Sequence, residues 1–233
     1  MKIAVLISGR LKCYESCLLP LLQNAPYEVD LFCSINDVDS EYYETARLKL
    51  GSWIKGFVLR PFSLEDRFNE IFVNINTNLP EPKPYNGMSM FYNDRNALNM
   101  AIEYADKNCF EYDAYMKYRA DIITTSFPDI KVTDERKLFS VIPWCNHTSP
   151  IVVRNPIEYG DLVPWVSDAI AYGNRESMLT YTETYNFCME MLELFDGRYP
   201  CNFEPSVTQN AYDKKLEVEY FNKPYTIDPS RHS

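Results

Sequence analysis

Glycine is scarce in this chain: there are seven glycines among 233 residues, and no two of them form a G-x-G pair. This absence excludes the dinucleotide-binding fingerprint, the kinase glycine-rich loop and the P-loop, because each needs glycine where the backbone approaches a phosphate group. A protein of this sequence that binds a nucleotide therefore does so without a glycine-rich loop.

Disulfide and zinc patterns are missing as well. The seven cysteines are an odd number scattered along the chain, which favours reduced thiols in the cytoplasm. Cys13 and Cys17 are separated by three residues, but only His147 and His232 could complete a set of zinc ligands. We therefore expect no structural zinc site.

The chain also lacks an excess of positive charge and a long apolar run. It has 23 Lys and Arg against 33 Asp and Glu, which gives a formal net charge of −10. Such a chain has no basic footprint for nucleic acid or for an anionic membrane surface. No apolar run approaches the roughly 20 residues that span a bilayer, and residues 1–7 predict a first strand rather than a signal peptide.

Strand and helix patterns alternate along the chain. Strand patterns cover residues 3–7, 29–35, 56–59, 113–119, 137–142, 168–172 and 216–221. Helical patterns cover residues 12–24, 40–50, 88–107, 178–195 and 205–213. The alternation predicts one α/β domain over residues 1–233, with a parallel, helix-covered sheet.

The strand over residues 113–119 ends in a group of charged residues. Lys117, Arg119 and Asp121 share a face if the extended backbone continues, because strand side chains alternate. Two cations and a carboxylate at the carboxyl end of a strand suit a diphosphate with a divalent metal held by the carboxylate. An Arg–Asp ion pair that closes the strand explains the same residues equally well.

Polar residues also follow the first two strands. Ser8, Gly9 and Arg10 come directly after the first, where glycine permits a tight turn and arginine can reach a phosphate or a base. Asn36 and Asp37 follow the second, where an amide or a carboxylate can bind a nucleobase or ribose. A simple turn with a solvent-facing Arg10 is the alternative.

One charged residue lies in an apolar stripe. Arg95 is four residues after Phe91 and three before Leu98 on the predicted helix over residues 88–107. An unpaired charge in a core costs several kcal/mol, so this guanidinium needs a partner. We prefer a ligand anion to a local carboxylate.

Trp165, Ser167 and Asp168 precede a strand, where an aromatic ring could stack on a sugar and a carboxylate could accept a hydroxyl proton. Packing of Trp165 and a turn cap by Asp168 are an equal alternative. We explain Glu204, at the start of the late helix, by the helix dipole alone.

Four segments together resemble small GT-A-type glycosyltransferases. They read IAVLISGRL, MSMFYNDRNALNMAIEYA, YDAYMKYRADI and VSDAIAYGNRESM. The chain is most similar to the WavE-like lipopolysaccharide-synthesis group and to compact enzymes of large DNA viruses. The resemblance implies a GT-A-like (Rossmann-like) mixed, mainly parallel sheet with helices on both faces, with a donor half over residues 1–121 and an acceptor half over residues 122–233. It also implies a cytoplasmic location, the host cytoplasm if the source is a virus.

The resemblance implies a role for each residue that matches a family motif. Asp121 takes the last position of the family's DxD motif and would hold Mn²⁺ or Mg²⁺, whereas Arg119 replaces the first aspartate. Asp168 corresponds to the base, and Trp165 and Ser167 lie near the acceptor. The positions that face the donor are Ser8, Gly9, Arg10, Asn36, Asp37, Arg95, Lys117 and Arg119.

The implied reaction moves a sugar from a UDP, GDP or dTDP sugar to a carbohydrate acceptor, with inversion if Asp168 is the base and with retention of configuration as the alternative. Two alternatives stay open. One is a catalytically inactive nucleotide-sugar-binding protein of the same fold, and the other is a nucleotidyltransferase or methyltransferase, which the missing glycine loops disfavour.

Overall fold

A computed structural model of the chain describes residues 1–9, 11–36, 40–60, 84–142, 148–154, 157–195 and 201–229. Two predicted site residues, Arg10 and Asp37, lie outside the described residues. Within these ranges, no helix combines the length and the apolar character needed to cross a bilayer.

Strands and helices alternate up to residue 107, as the sequence predicts, whereas six described strands follow one another between residues 114 and 173. The strands are β1 (Lys2–Gly9), β2 (Glu28–Asn36), β3 (Ile54–Arg60), β4 (Ala114–Tyr118), β5 (Ile122–Ile123), β6 (Lys137–Val141), β7 (Thr148–Arg154), β8 (Ile157–Pro164), β9 (Ile170–Gly173), β10 (Glu217–Phe221) and β11 (Thr226–Ile227). The helices are α1 (Leu19–Gln23), α2 (Ser40–Leu50), α3 (Pro84–Lys107), α4 (Arg175–Thr182), α5 (Thr184–Leu194) and α6 (Phe203–Asp213).

Seven strands form one sheet in the order β10-β6-β9-β4-β1-β2-β3. All neighbours are parallel except the two pairs that β9 makes with β4 and β6. The strand order reverses between β1 and β4, and in doubly wound sheets such a switch point, at the carboxyl ends of the strands, is where ligands bind. Because β9 is antiparallel, its amino end meets the carboxyl end of β4 at this place.

Helices cover both faces of the sheet. Leu6 and Tyr115 belong to a core formed with α3, α4, α5 and α6. Val5 and Met116, one residue away on the same strands, belong to a second core with α1 and α2. Side chains on a strand point alternately to the two faces, so two buried faces explain why β1 is apolar over residues 3–7. The predicted fold class, an α/β domain with a mixed, mainly parallel sheet and helices on both faces, is confirmed.

The first predicted helix changes type along its length. A turn of π-helix over Tyr14–Leu18 precedes α1. Pro20 lies in the first turn of α1, the part of a helix where a missing N–H group costs nothing. The single helical pattern over residues 12–24 thus corresponds to a π-helical turn followed by a short α-helix.

The prediction of one continuous helix over residues 178–195 is wrong, because the structure divides this segment into α4 and α5. The hydroxyl of Thr182 donates to the carbonyl of Leu179 at 3.2 Å, and that of Thr184 donates to the carbonyl of Tyr181 at 2.7 Å. Such side-chain bonds compete with the backbone bonds that would continue the helix.

Two other features differ from the sequence analysis. The extended backbone of β4 ends at Tyr118, and residues 119–121 turn before β5. The hairpin of β7 and β8 was not predicted. It contains Pro150 and Pro164, and proline is typical of edge positions rather than of central strands.

Candidate active site

The carboxyl end of β1 lies at the switch point of the sheet. Gly9, its last residue, has φ of +83°, a left-handed conformation that favours glycine. Among the described atoms, none lies within 4 Å of the position that a Cβ on Gly9 would occupy. The backbone at Gly9 can therefore be approached closely by a ligand.

A buried ion pair lies beneath this edge. The side chains of Lys117 and Asp94 are 1% and 2% exposed, and Lys117 Nζ donates to Asp94 Oδ1 and to Ser8 Oγ. Burial raises the pKa of the Asp94 carboxyl above its usual value, which Lys117 and Ser8 only partly offset. Lys117 is enclosed among the described residues, and its direct contact with a donor stays a prediction.

Asp94, which the sequence analysis did not select, lies in the apolar stripe of α3, and Arg95 is half-exposed beside it. Successive residues of a helix are rotated by about 100° about its axis, so Asp94 occupies the buried position that the sequence analysis gave to Arg95. Arg95 Nη1 donates to Asn186 Oδ1 at 2.8 Å, and the guanidinium carbon lies 4.5 Å from the ring centre of Tyr185. Arg95 thus contacts α5, and its predicted donor contact finds no support in this placement.

A network of buried amides and hydroxyls lies between β2 and α3. Asn93 Nδ2 donates to Asn36 Oδ1 at 2.9 Å, and Asn36 Nδ2 donates to Ser89 Oγ at 3.3 Å. The hydroxyl of Ser34 donates to Asn93 Oδ1 at 2.6 Å. These bonds fix the amide of Asn36 at the carboxyl end of β2, and its role in binding a nucleoside stays a prediction.

The turn after β4 carries the second charged group. Arg119 Nε and Nη2 donate to the two oxygens of Asp121 at 2.9 and 2.8 Å, and Nη1 donates to Asp168 Oδ2 at 2.9 Å. Burial lowers the pKa of Arg119, but the charge of Asp168 and the bonds to Asp121 outweigh it and hold the net pKa above its usual value. These three residues therefore meet, although the strand that was expected to align Arg119 with Asp121 ends before them.

A bonded loop holds Asp168 in place. Ser167 is 1% exposed, its N–H donates to Ser140 Oγ at 2.9 Å, and its carbonyl accepts from the hydroxyl of Tyr181 at 3.3 Å. Ser167 thus orients the loop from inside the protein, and its predicted acceptor contact finds no support in this position. Trp165 is half-buried at the start of the loop, and its stacking role stays a prediction.

Helix α6 adds a carboxyl group that the sequence analysis missed. Glu204, in the first turn of α6, is half-buried, and its carboxyl group interacts electrostatically with that of Asp168. Burial and then the charge of Asp168 raise the pKa of Glu204 to about 7. A helix N-terminus stabilises a carboxylate and would lower the pKa, so the dipole alone does not explain this residue. No local sequence pattern joins Glu204 to Asp168, because the fold alone brings them together.

Comparison with known proteins gives matches in structure and none in sequence. No protein-family model matches the chain, and no curated protein matches it. It is similar to a nucleoside-diphosphate-sugar pyrophosphorylase from Vibrio cholerae, with 11% identity and a TM-score of 0.49 over 98% of this chain and 96% of the other. It is similar to mouse xyloside xylosyltransferase 1, with 10% identity and a TM-score of 0.47 over 95% and 85%. It is also similar to the inositol-1-phosphate CTP transferase from T. maritima, with 11% identity and a TM-score of 0.47 over 99% and 91%.

The side chains around Asp121 do not fit a divalent metal as they are arranged. Both oxygens of Asp121 already accept bonds from Arg119. In the part of the chain that the structure describes, no three His, Cys, Asp or Glu side chains are grouped as metal ligands. The Mn²⁺ or Mg²⁺ site at Asp121 stays a prediction.

Proposed function

We propose that this protein is a glycosyltransferase that moves a sugar from a nucleotide-diphosphate sugar to a hydroxyl group of a glycan or other acceptor. The observation that carries the proposal is the meeting of Arg119 and Asp168 at the switch point of the sheet, with 2.9 Å between Nη1 and Oδ2. The guanidinium of Arg119 suits a diphosphate, and the carboxylate of Asp168 suits a hydroxyl proton. The two side chains can therefore serve one reaction centre.

The donor would lie along the carboxyl edge of the sheet, over the open backbone at Gly9. A guanidinium has five N–H groups, and Arg119 uses three of them on Asp121 and Asp168. The other two can bind phosphate oxygens. As the nucleoside diphosphate departs, its developing negative charge is stabilised by this fixed cation, which Asp121 holds in orientation.

The acceptor would approach Asp168. Its hydroxyl oxygen forms a bond to the anomeric carbon while the bond from that carbon to the diphosphate oxygen breaks, and the hydroxyl proton passes to the carboxylate of Asp168. A single displacement of this kind inverts the configuration at the anomeric carbon. The indole ring of Trp165, three residues earlier, is the candidate platform for the acceptor sugar.

The test is incubation of the protein with UDP, GDP, CMP and dTDP sugars, with and without Mn²⁺, while nucleotide release and donor-induced thermal shift are measured. We expect slow hydrolysis of one donor class, with water as the acceptor, and faster release when a matching acceptor is present. Thermal shift without release from any donor, alone or with candidate acceptors, would instead favour the inactive nucleotide-sugar-binding protein.

Two variants separate binding from chemistry. Asp168→Asn should keep the donor affinity and slow release by about 10²- to 10⁴-fold, the contribution of a general base. Arg119→Gln should weaken donor binding by about 10- to 100-fold, because charge-assisted bonds to phosphate are lost.

Arg175→Gln is the matched control, because Arg175 also donates two bonds to one aspartate, Asp106, at 2.7 and 2.9 Å, on the surface. We expect it to change neither donor affinity nor release. Full transfer activity in Asp168→Asn would show that Asp168 is not the base.

A further inference from the structure

The turn that carries Arg119 and Asp121 is held by a short segment that lies far away in the sequence. Strand β11 pairs antiparallel with β5, which begins one residue after Asp121. The backbone N–H of Asp228 then donates to the carbonyl of Asp121 at 2.8 Å. The segment of residues 226–228 therefore holds the backbone of Asp121, whose carboxylate accepts two bonds from Arg119.

The carboxylate of Asp228 anchors this segment in the protein. Of residues 226–229, Asp228 alone is buried, and both residues of β11 are exposed. A carboxylate that is taken out of water needs hydrogen-bond donors. Oδ2 of Asp228 accepts from Ser16 Oγ at 2.5 Å and from Cys17 Sγ at 3.5 Å. These two bonds therefore attach an otherwise exposed segment to the body of the domain.

The two donors place Asp228 across the switch point of the sheet. Ser16 and Cys17 lie in the π-helical turn Tyr14–Leu18, which follows β1. A π-helical turn is rare, and such turns are often found at functional sites. The turn at residues 119–121 follows β4, and β1 and β4 border the switch point. Asp228 thus joins the two connections that leave the sheet on either side of the place where a ligand is expected.

We propose that Asp228 is a positioning residue of the reaction centre, which fixes the orientation in which Arg119 meets the diphosphate of the donor. This inference rests on the proposed function.

Asp228 acts through the backbone of Asp121. A shift of this backbone moves the carboxylate that holds the Arg119 guanidinium by two bonds, at 2.9 and 2.8 Å. The guanidinium then turns, and the N–H groups that remain for the phosphate oxygens turn with it. A misplacement of about 1 Å, even one caused far from the chemistry, can cost about 10²-fold in rate.

The chain contains a matched control for Asp228. Asp30 is also a buried aspartate, and it accepts a bond from the hydroxyl of Tyr112 at 2.7 Å. It is the third residue of β2 and lies at the amino end of that strand, away from the carboxyl edge of the sheet. The variants Asp228→Ala and Asp30→Ala therefore each remove a buried carboxylate, but only Asp228→Ala releases the segment that holds Asp121. Asp228→Asn is the conservative variant, because its amide oxygen can still accept the bond from Ser16.

The first measurement needs no ligand. NMR on protein with ¹⁵N-labelled arginine follows the exchange of the Arg119 Nε–H group with water, and the resonance is assigned by its loss in Arg119→Gln. Exchange should be about 10- to 100-fold faster in Asp228→Ala, because bonds to a charged group that hold the turn are lost. It should stay close to that of the unsubstituted protein in Asp228→Asn and Asp30→Ala. If Asp228→Ala does not fold, Ser16→Ala removes one donor at an exposed position and should give a smaller increase.

The second measurement is a double-variant cycle on donor binding, with the sugar nucleotide of the panel that gives the largest thermal shift. Asp228→Ala should weaken binding by about 10-fold, the lower end of what the loss of the Arg119 guanidinium itself costs. In the Arg119→Gln background the same change should have little further effect, because Asp228 acts through Arg119. A residue that only stabilises the fold would have the same effect in both backgrounds.

The two measurements distinguish the failure of this proposal from the failure of the proposed function. Faster exchange of the Arg119 Nε–H group in Asp228→Ala but not in Asp30→Ala, without binding of any donor, overturns the glycosyltransferase and leaves the coupling of Asp228 to Arg119 in place. Equal exchange rates in Asp228→Ala and Asp30→Ala, or a loss of donor binding that is the same with and without Arg119, overturns the role of Asp228.

Discussion

Removal of the ammonium of Lys117 should destabilise the protein severely. Lys117→Met keeps most of the apolar stem but leaves Asp94, whose side chain is 2% exposed, without its cation. The attraction lost is about 4 kcal/mol for two charges 4 Å apart at an effective dielectric constant near 20. Ser8 is the remaining partner of the Asp94 carboxyl, and Asp94 Oδ2 has no hydrogen bond to a described residue. We expect a loss of about 3–5 kcal/mol in the free energy of unfolding, as when one partner of a buried pair is removed.

The pH dependence has a definite sign. Burial raises the pKa of Asp94, and loss of Lys117 removes the strongest opposing influence, so the pKa rises further in the variant. A carboxyl whose pKa is raised by folding is stabilising when protonated, and this stabilisation is lost as the pH rises through its folded pKa. The difference between Lys117→Met and the unsubstituted protein should therefore be larger at pH 7 than at pH 5.

Urea unfolding at the two pH values measures this difference. Lys131→Met is the matched control, because Lys131 pairs with Glu219 on the surface, where the side chains are 61% and 39% exposed, and it should cost less than about 1 kcal/mol. The double variant Lys117→Met with Asp94→Leu should recover most of the loss, because apolar groups can replace a buried pair. A loss as small as that of Lys131→Met, or one that is the same at both pH values, would refute the reasoning.

Two further predictions concern packing and the thiols. Gly173→Ala should cost about 1–3 kcal/mol in urea unfolding, because its Cβ would lie 2.8 Å from Ser177 Cβ and 2.9 Å from the carbonyl of Lys137; an unchanged urea midpoint would contradict this. Thiol labelling of the folded protein should find Cys109 reactive and the other described cysteines protected until unfolding, since they are buried. Cys145 lies outside the described residues and can add one fast-reacting thiol to Cys109. More than two such thiols would contradict the burial of the other cysteines.

The order of strands and helices could be predicted because each strand of the sheet has its own apolar pattern. The strand over β1 and the helix over α3 are long and strongly patterned, and both were predicted. The hairpin of β7 and β8 was missed because its prolines interrupt the pattern. The division between α4 and α5 was missed because it depends on threonine hydroxyls, which change backbone bonding without changing apolar periodicity.

The candidate site was predictable only where its residues are close to strand ends. Arg119, Asp121 and Asp168 were selected because each lies beside a strand, and the open alternative of an Arg–Asp ion pair describes their contacts. Asp94 and Glu204 could not be selected in the same way. Each acquires its importance from a partner far away in the sequence, and a helical residue gives no sign of such a partner.

The antiparallel course of β9 has a consequence for how proteins of this architecture can diverge. The chain leaves β6 and re-enters at β9 on the same edge of the sheet, and the hairpin of β7 and β8 lies in between. A longer, shorter or exchanged hairpin therefore alters the surroundings of Asp168 without altering the order of the strands that hold it. Recombination or insertion at this one segment can therefore change the surface that precedes Asp168 while the seven-stranded sheet keeps its order.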